Sequence, residues 1–218
     1  MSCSITMTII RSRSSSRRRR LRTVLGVFAF GVVAALIAGA VVAYQYTRPP
    51  GPEPTFQMPV ACGETWRLGT YPGHDDFDVD FFPTQGEAWG RPILAAYAGE
   101  VVKAGPSGDL GGRTKENPKG PMGRGGGYMV EIDHGGKWST QYLHMIEQPM
   151  VKKGDRVATG QQIGKVGSTG ESGAPHLHYE VHAGWQKVVA NFDGKPSGIT
   201  TDDREYSVER KSNNCPKK

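Results

Sequence analysis

Two histidines that lie two residues apart, His176 and His178, have the clearest potential for chemistry in this sequence. They fall where Leu177, Tyr179 and Val181 alternate with polar residues, a pattern that predicts a β-strand. Residues two apart on a strand point to the same face, so the two imidazoles project together, roughly 7 Å apart along the strand. One imidazole can then bind a metal ion while its neighbour stands over the open coordination position. A pair of surface histidines fits these residues equally well.

A second group of candidate ligands surrounds His74, where Val79 and Phe81 alternate with aspartates and predict another strand. The aspartates of this segment are Asp75, Asp76, Asp78 and Asp80. Two histidines and one carboxylate are a common ligand set for catalytic zinc and leave the fourth position for water, whose pKa zinc lowers to about 7. A predicted strand over 138–145 adds His144 as a further imidazole outside the ligand set.

Four blocks of sequence contain these residues, at 73–81, 139–144, 151–170 and 173–181. The first begins Gly-His and ends Val-Asp-Phe, the second reads Ser-Thr-Gln-Tyr-Leu-His, and the fourth contains Pro-His-Leu-His-Tyr-Glu-Val. In these blocks, and in their order, the sequence resembles the lysostaphin-like zinc endopeptidases, the LytM metallopeptidase family. The resemblance is most specific in the fourth block, while the third is a turn-rich structural signature.

The resemblance implies a zinc site with a catalytic pair beside it. Carried over by motif, His74, Asp80 and His178 would bind Zn²⁺, and His144 and His176 would be unliganded catalytic imidazoles.

The aspartate ligand is the one position for which the motif offers two choices. The simplest spacing in the family places three residues between the first histidine and the aspartate, which selects Asp78. The family's aspartate also stands between an aliphatic residue and phenylalanine, which selects Asp80. We take Asp80 as the predicted ligand and keep Asp78 as the alternative.

The function that the resemblance implies is hydrolysis of peptide cross-links in peptidoglycan. The expected partners are the peptide stems of the cell wall, together with regulatory envelope proteins. The alternative is a non-catalytic module that binds cell wall or regulates other wall hydrolases. Such degenerate relatives lack one or more of the histidines, and this chain has all four, which favours catalysis.

Positive charge is concentrated at the N-terminus. The eight arginines before Glu53 are Arg11, Arg13, Arg17, Arg18, Arg19, Arg20, Arg22 and Arg48. Without these eight, the 27 basic residues of the chain fall to 19, against 21 acidic ones. The basic character therefore belongs to the tail, and we expect no nucleic-acid partner.

An uncharged apolar run from Thr23 to Tyr44 is long enough to cross a bilayer as one helix. The arginines before it predict a cytoplasmic N-terminus and an extracytoplasmic domain at the cell membrane. A cleaved signal peptide is the alternative, which would give a secreted protein. We therefore predict a basic cytoplasmic tail (1–22), a transmembrane helix (23–46), a proline-rich linker (47–60) and a metallopeptidase domain (61–218).

The domain is predicted to be all-β, because short alternating segments are separated by turns and the chain holds 30 glycines. We expect an antiparallel sandwich or barrel-like fold, and the resemblance implies the duplicated hybrid motif of LytM domains. Residues 105–127 lack periodicity and predict a mobile flap near the site, with a disordered insertion as alternative. His134 is interpreted as a surface turn residue. Cys62 and Cys215 are placed to form a disulfide in an oxidising compartment.

Overall fold

The computed structural model describes residues 32–44, 47–200 and 205–215, and the chain divides into two units, Met1–Pro49 and Pro50–Lys218. In the first unit, residues 32–44 are helical with exposed side chains. Among the described residues, no helix is both long enough and apolar enough to span a membrane. The predicted basic tail and much of the predicted membrane helix at 23–46 lie outside the described residues, so membrane anchoring stays a prediction.

Thirteen β-strands form the described part of the second unit. They are β1 (Thr65–Thr70), β2 (Val79–Pro83), β3 (Pro92–Leu94), β4 (Gly99–Asp109), β5 (Arg124–Gly135), β6 (Trp138–Met145), β7 (Arg156–Val157), β8 (Gln162–Lys165), β9 (Leu177–Ala183), β10 (Gln186–Lys187), β11 (Asn191–Phe192), β12 (Lys195–Pro196) and β13 (Tyr206–Lys211).

One large antiparallel sheet organises these strands in the order β13, β1, β2, β9, β6, β5, β4 and β7, with β10 paired to β9. Two small antiparallel pairs, β3 with β8 and β11 with β12, complete the described strands. The predicted all-β antiparallel class is therefore confirmed. Strands β2, β9 and β6 are neighbours in this sheet, and they come from three of the four sequence blocks that carry the candidate site.

The two faces of β9 separate the hydrophobic core from the candidate site. Leu177, Tyr179 and Val181 are almost fully buried on one face, where Tyr179 packs edge-on against Tyr142 of β6. His178 lies on the other face. Because Tyr142 is directly opposite Tyr179 in the β6–β9 register, the pair fixes which side of the sheet carries the histidine.

The proline-rich segment differs from the linker that we predicted at 47–60. From Gly51 onward it packs on the domain, and the backbone N–H of Gly51 donates to Gly136. Phe56, Met58 and Val60 are buried in the core. The three apolar side chains stand two residues apart, so in an extended chain they point to the same side and can pack into the core. A proline-rich spacer is extended as well, and for this reason the sequence did not distinguish the two.

The predicted flap at 105–127 is also corrected. Strand β4 runs on to Asp109 and β5 begins at Arg124, so only residues 110–123 connect them. That connection is held by backbone hydrogen bonds from Gly112 to Pro121 and from Gly123 to Gly170. Backbone pairing does not require apolar side chains, which is why the low hydrophobicity of this stretch concealed two strand ends.

A disulfide joins Cys62 to Cys215, as the sequence suggested. The bond links residues that are 153 positions apart, one just before β1 and the other after β13. Since β1 and β13 already pair along their length, the disulfide locks the two ends of the domain to the same edge of the sheet.

His134 is not the free surface residue that we expected at the β5–β6 hairpin. Its Nδ1 donates to the carbonyl of Ala98 at 3.0 Å, and its Nε2 lies 2.8 Å from Oγ1 of Thr140. The ring also packs edge-on against Phe56 at 5.2 Å. Burial lowers the pKa of His134 below its usual 6.5, in spite of the hydrogen bond to Ala98.

We predict that His134 makes the domain less stable in acid. The folded state keeps the ring neutral while the unfolded chain takes up a proton near pH 6.5, so its contribution to stability is lost as the pH falls below that value. Urea unfolding at a series of pH values should show a steeper loss of unfolding free energy for the wild type than for His134→Asn. Equal slopes for the two proteins would contradict this assignment.

Candidate metal centre

Three side chains from separate parts of the chain place one ligand atom each at a common point. Oδ1 of Asp80 lies 3.0 Å from Nδ1 of His178 and 3.3 Å from Nε2 of His74, and the two nitrogens are 3.1 Å apart. Asp80 on β2 stands directly opposite His178 on β9, and His74 lies in the connection between β1 and β2. All three side chains are at most 9% exposed.

These separations match the spacing of zinc ligands. Four ligands placed tetrahedrally at about 2.0–2.1 Å from zinc lie about 3.3 Å from one another. The observed triangle of 3.0–3.3 Å is therefore the size of one face of such a tetrahedron. The structure thus brings together His74, Asp80 and His178, the three residues predicted as ligands, in a geometry that fits one ion.

In three of the candidate imidazoles, the ring nitrogen that points away from the metal position lies within hydrogen-bond distance of a neighbouring group. Nδ1 of His144 lies 2.8 Å from the carbonyl of Thr169, and Nδ1 of His176 lies 2.7 Å from the carbonyl of Ala174. A carbonyl can only accept, so each Nδ1 carries a hydrogen, and in the neutral ring Nε2 is then the nitrogen that presents a lone pair. In His74, Nδ1 lies 3.2 Å from the hydroxyl of Thr70, which leaves Nε2 to face Asp80.

Ring lone pairs and a carboxylate that meet at one point repel one another, so a positive charge at that point stabilises the site. Without a metal ion, a proton supplies part of that charge. Burial alone would lower the pKa of His178, but hydrogen bonds to Asp78, Asp80 and Glu180 raise it well above its usual value. Burial alone would raise the pKa of Asp80, but the charge and hydrogen bonds of His176, His178 and His74 lower it well below its usual value. Metal binding at this point must displace that proton.

The two predicted catalytic histidines stand beside the ligand triangle. Their ring centroids are 5.0 Å apart, and Nε2 of His176 lies 3.2 Å from Oδ1 of Asp80. Burial, with the nearby rings of His176 and His178, lowers the pKa of His144 to about 3, which keeps that ring neutral at ordinary pH.

A bulge in β6 is what aims His144 at the site. The β5–β6 register shifts between the Val130–Tyr142 and Tyr128–Met145 pairs, which leaves one extra residue on β6. His144 has a φ of 63°, a left-handed conformation that costs a residue with a side chain on the order of 1–3 kcal/mol. Strict alternation would have put His144 on the core face with Tyr142, and the bulge turns it to the other face.

Asp80, and not Asp78, completes the triangle with His74. Asp78 instead contacts the far side of the His178 ring, with Oδ2 3.2 Å from Nε2. The same oxygen lies 2.6 Å from Nζ of Lys187. The longer spacing after His74 is accommodated by a turn in which the backbone N–H of Asp78 donates to Asp75, so the aspartate beside Phe81 reaches the site.

Further residues around the site were not predicted from the sequence. The pKa of Glu180 lies below its usual value, because its hydrogen bonds to His178 and His182 outweigh the effect of burial. The sequence did contain a signal for Glu180, because it stands two residues after His178 on β9 and therefore shares the same face of the strand. Lys187 has no such signal, since only the pairing of β10 with β9 brings it near.

An open cleft of about 380 Å³ leads from solvent to the histidines. Tyr71, half exposed at its mouth, packs against His74 with the two rings tilted by 31° and their centroids 4.8 Å apart. The lining also includes Gly125 and Gly126 at the start of β5. A polar cleft lined partly by glycine backbone suits an extended peptide, which can pair with backbone groups.

The sequence matches the family model described as Peptidase family M23 over residues 79–190, about half of the chain. This range includes Asp80, His144, His176 and His178, and it begins five residues after His74.

Individual relatives agree with the family match. The chain is 39% identical to the glycyl-glycine endopeptidase ALE-1 of Staphylococcus capitis over 116 residues, which cover 51% of this chain and 27% of the relative. It is 50% identical to the peptidoglycan DD-endopeptidase ShyA of Vibrio cholerae over 56 residues, 26% of this chain and 13% of the relative. The chain thus spans less than a third of the length of either relative.

Among solved structures, the catalytic domain of lysostaphin from Staphylococcus simulans is similar, with 32% identity and a TM-score of 0.41. The match covers 55% of this chain and 78% of that domain.

We predict that His178→Ala loses zinc, because the change removes a direct ligand. Removal of an outer partner alone typically costs about 10–100-fold in metal affinity, so the loss should exceed about 100-fold. Competition with a chromogenic chelator measures the affinity. His134→Asn, which changes a histidine whose Nδ1 and Nε2 lie beside Ala98 and Thr140, outside the site, is the matched control and should retain the ion. Full zinc binding by His178→Ala would show that the ligand set is wrong.

Proposed function

The chain belongs to peptidase family M23, and from this membership we propose that it is a zinc endopeptidase that hydrolyses peptide cross-links of peptidoglycan. The observation that carries the proposal is the ligand triangle of His74, Asp80 and His178, with the imidazoles of His144 and His176 beside it in an open cleft. A structural zinc site has four protein ligands, whereas this triangle leaves one position to solvent or substrate.

The relatives support the choice of substrate class. ShyA is named as a peptidoglycan DD-endopeptidase and ALE-1 as a glycyl-glycine endopeptidase, so both cut peptide bonds, although the bonds differ. We therefore assign the peptide stems of the cell wall as the substrate of this chain.

Zinc, when bound, polarises the scissile carbonyl and lowers the pKa of a bound water to about 7. The chain's own residues do the rest of the chemistry. His144 and His176 each hold a hydrogen on Nδ1 through a backbone carbonyl and present Nε2 to the cleft. A neutral imidazole so fixed can take a proton from the attacking water and return it to the leaving amine. Once protonated, it can stabilise the negative charge on the former carbonyl oxygen.

Burial of the site supports these roles. His144 is 5% exposed and His176 is 7% exposed, so little water competes for their Nε2 atoms. Phe82 stacks on His176 with ring centroids 5.3 Å apart and limits the rotation of that ring. The two imidazoles are thus fixed before substrate arrives, which reduces the reorganisation required in the transition state.

We further propose that the domain works outside the cytoplasm, anchored by the apolar segment at 23–46. The arginine-rich stretch before that segment favours a cytoplasmic N-terminus. The Cys62–Cys215 disulfide agrees with an oxidising compartment, where such bonds persist. Regulatory envelope proteins as partners stay a prediction.

A non-catalytic module that binds wall or regulates other hydrolases is the alternative. Such a module has no need for two imidazoles held beside an open coordination position. The full set of His74, His144, His176 and His178 therefore favours catalysis.

The proposed activity predicts new free amines when the purified full-length chain is incubated with isolated cell wall. A chelator should abolish their release and added zinc should restore it, because His74, Asp80 and His178 would hold the ion that the reaction requires. Mass spectrometry of the released muropeptides would identify the bond. Retained wall binding without any new amine would instead support the non-catalytic module.

We predict that His144→Ala keeps zinc but loses turnover. The ring belongs to the proton-transfer pair and not to the ligand triangle, and positioned acid–base groups contribute about 10²–10⁴-fold to rate. Zinc content and amine release should be measured on the same preparation. Full activity of this variant would exclude His144 from catalysis.

A further inference from the structure

We propose that Asp78 and Glu180, held in place by Lys187, orient the ring of His178 so that its Nδ1 faces the metal position. The inference rests on the proposed zinc site and assigns positioning roles to three residues outside the ligand triangle. The three residues lie on the side of His178 that faces away from the metal position, and none of them is proposed to touch substrate.

The contacts lie on the opposite edge of the His178 ring from the metal. Oδ2 of Asp78 and Oε1 of Glu180 lie 3.2 Å and 3.3 Å from Nε2, while Nδ1 lies 3.0 Å from Asp80. Carboxylates accept hydrogen bonds, so they favour the tautomer with a hydrogen on Nε2. That tautomer leaves a lone pair on Nδ1, which is the arrangement that metal binding through Nδ1 requires.

This arrangement differs from that of the other ligand histidine. His74 faces the triangle through Nε2, and its Nδ1 lies 3.2 Å from the hydroxyl of Thr70. A hydroxyl can donate as well as accept, so it fixes the tautomer less firmly than a carboxylate does. The structure therefore places the stronger orientation control on His178.

Lys187 makes it feasible to bury two carboxylates against one imidazole. Asp78 and Glu180 are 1% and 8% exposed, and buried charges of one sign are costly without a counter-charge. Nζ of Lys187 lies 2.6 Å from Oδ2 of Asp78 and 3.6 Å from Oε2 of Glu180. His182 adds a further contact, with Nε2 2.7 Å from Oε2 of Glu180.

The same geometry argues against a second metal ion on the outer edge of His178. Asp78, His178 and Glu180 are close enough to share an ion. The ammonium of Lys187, however, already lies within ion-pair distance of both carboxylates and supplies their positive charge. A zinc stoichiometry of one per chain follows.

The test compares zinc affinity in the full-length wild type, Asp78→Asn, Glu180→Gln and the double variant. Both substitutions keep the size of the side chain and remove its charge, and an amide can turn its NH₂ group toward Nε2. Asp75→Asn is the matched control, because Asp75 contacts Lys187 at 3.0 Å and is not among the contacts of His178. Competition with a chromogenic chelator gives affinity and stoichiometry, and thermal unfolding of the metal-free proteins checks the fold.

The expected result is a loss of zinc affinity on the order of 10–100-fold in the double variant, with Asp75→Asn unchanged. Wild-type affinity in a folded double variant would overturn the positioning role while leaving the proposed enzyme intact. A wild type that binds no zinc would overturn the proposed function and this inference together, so the two failures are distinct.

Nitrogen-15 spectra of the imidazole rings provide a readout that does not depend on stable variants. In the zinc-loaded wild type, we expect His178 to show a protonated Nε2 and a metal-bound Nδ1. A His178 ring bound to zinc through Nε2 would contradict the assignment of Asp78 and Glu180. Two zinc ions per wild-type chain would contradict the role of Lys187.

Discussion

The candidate site is built around a convergence of lone pairs on one buried point. Oδ1 of Asp80, Nδ1 of His178 and Nε2 of His74 meet within 3.3 Å of one another, with Nε2 of His176 beside them. Groups that all present electron pairs repel one another unless a cation lies among them. The outer hydrogen bonds prevent the rings from turning away, so the protein stabilises an arrangement that only a positive charge can satisfy.

The antiparallel sheet is the means by which distant residues reach that point. Direct pairing of Asp80 with His178 places a carboxylate and an imidazole opposite each other on the solvent side, while the neighbouring pair of Val79 and Tyr179 faces the core. A slip of one residue in this register would bury the ligands and expose the core. The aromatic packing beneath the site therefore stabilises the fold and fixes the site geometry at the same time.

Strand alternation predicted the features of the site that lie within one segment, whereas pairing between distant segments determined the remaining features. The shared face of His176 and His178 followed from strand alternation, while the choice of Asp80 over Asp78 came from the family resemblance, since the family's aspartate stands before phenylalanine. The orientation of His144 did not follow from alternation, because a bulge reverses the face that alternation assigns to it. The role of Lys187 depends on β10 folding back on β9, and the packing of Phe56 depends on strands far along the chain. The local sequence around Lys187 or Phe56 therefore predicts neither of these contacts.

X-ray absorption at the zinc edge reports which atoms bind the ion and so distinguishes this ligand set from others. We expect one zinc per chain with four nitrogen and oxygen neighbours at about 2.0–2.1 Å, two of them imidazoles and none of them sulfur. A first shell with four imidazoles, with sulfur, or with oxygen alone would contradict it, because His74, Asp80 and His178 could not then be the ligands that hold the ion.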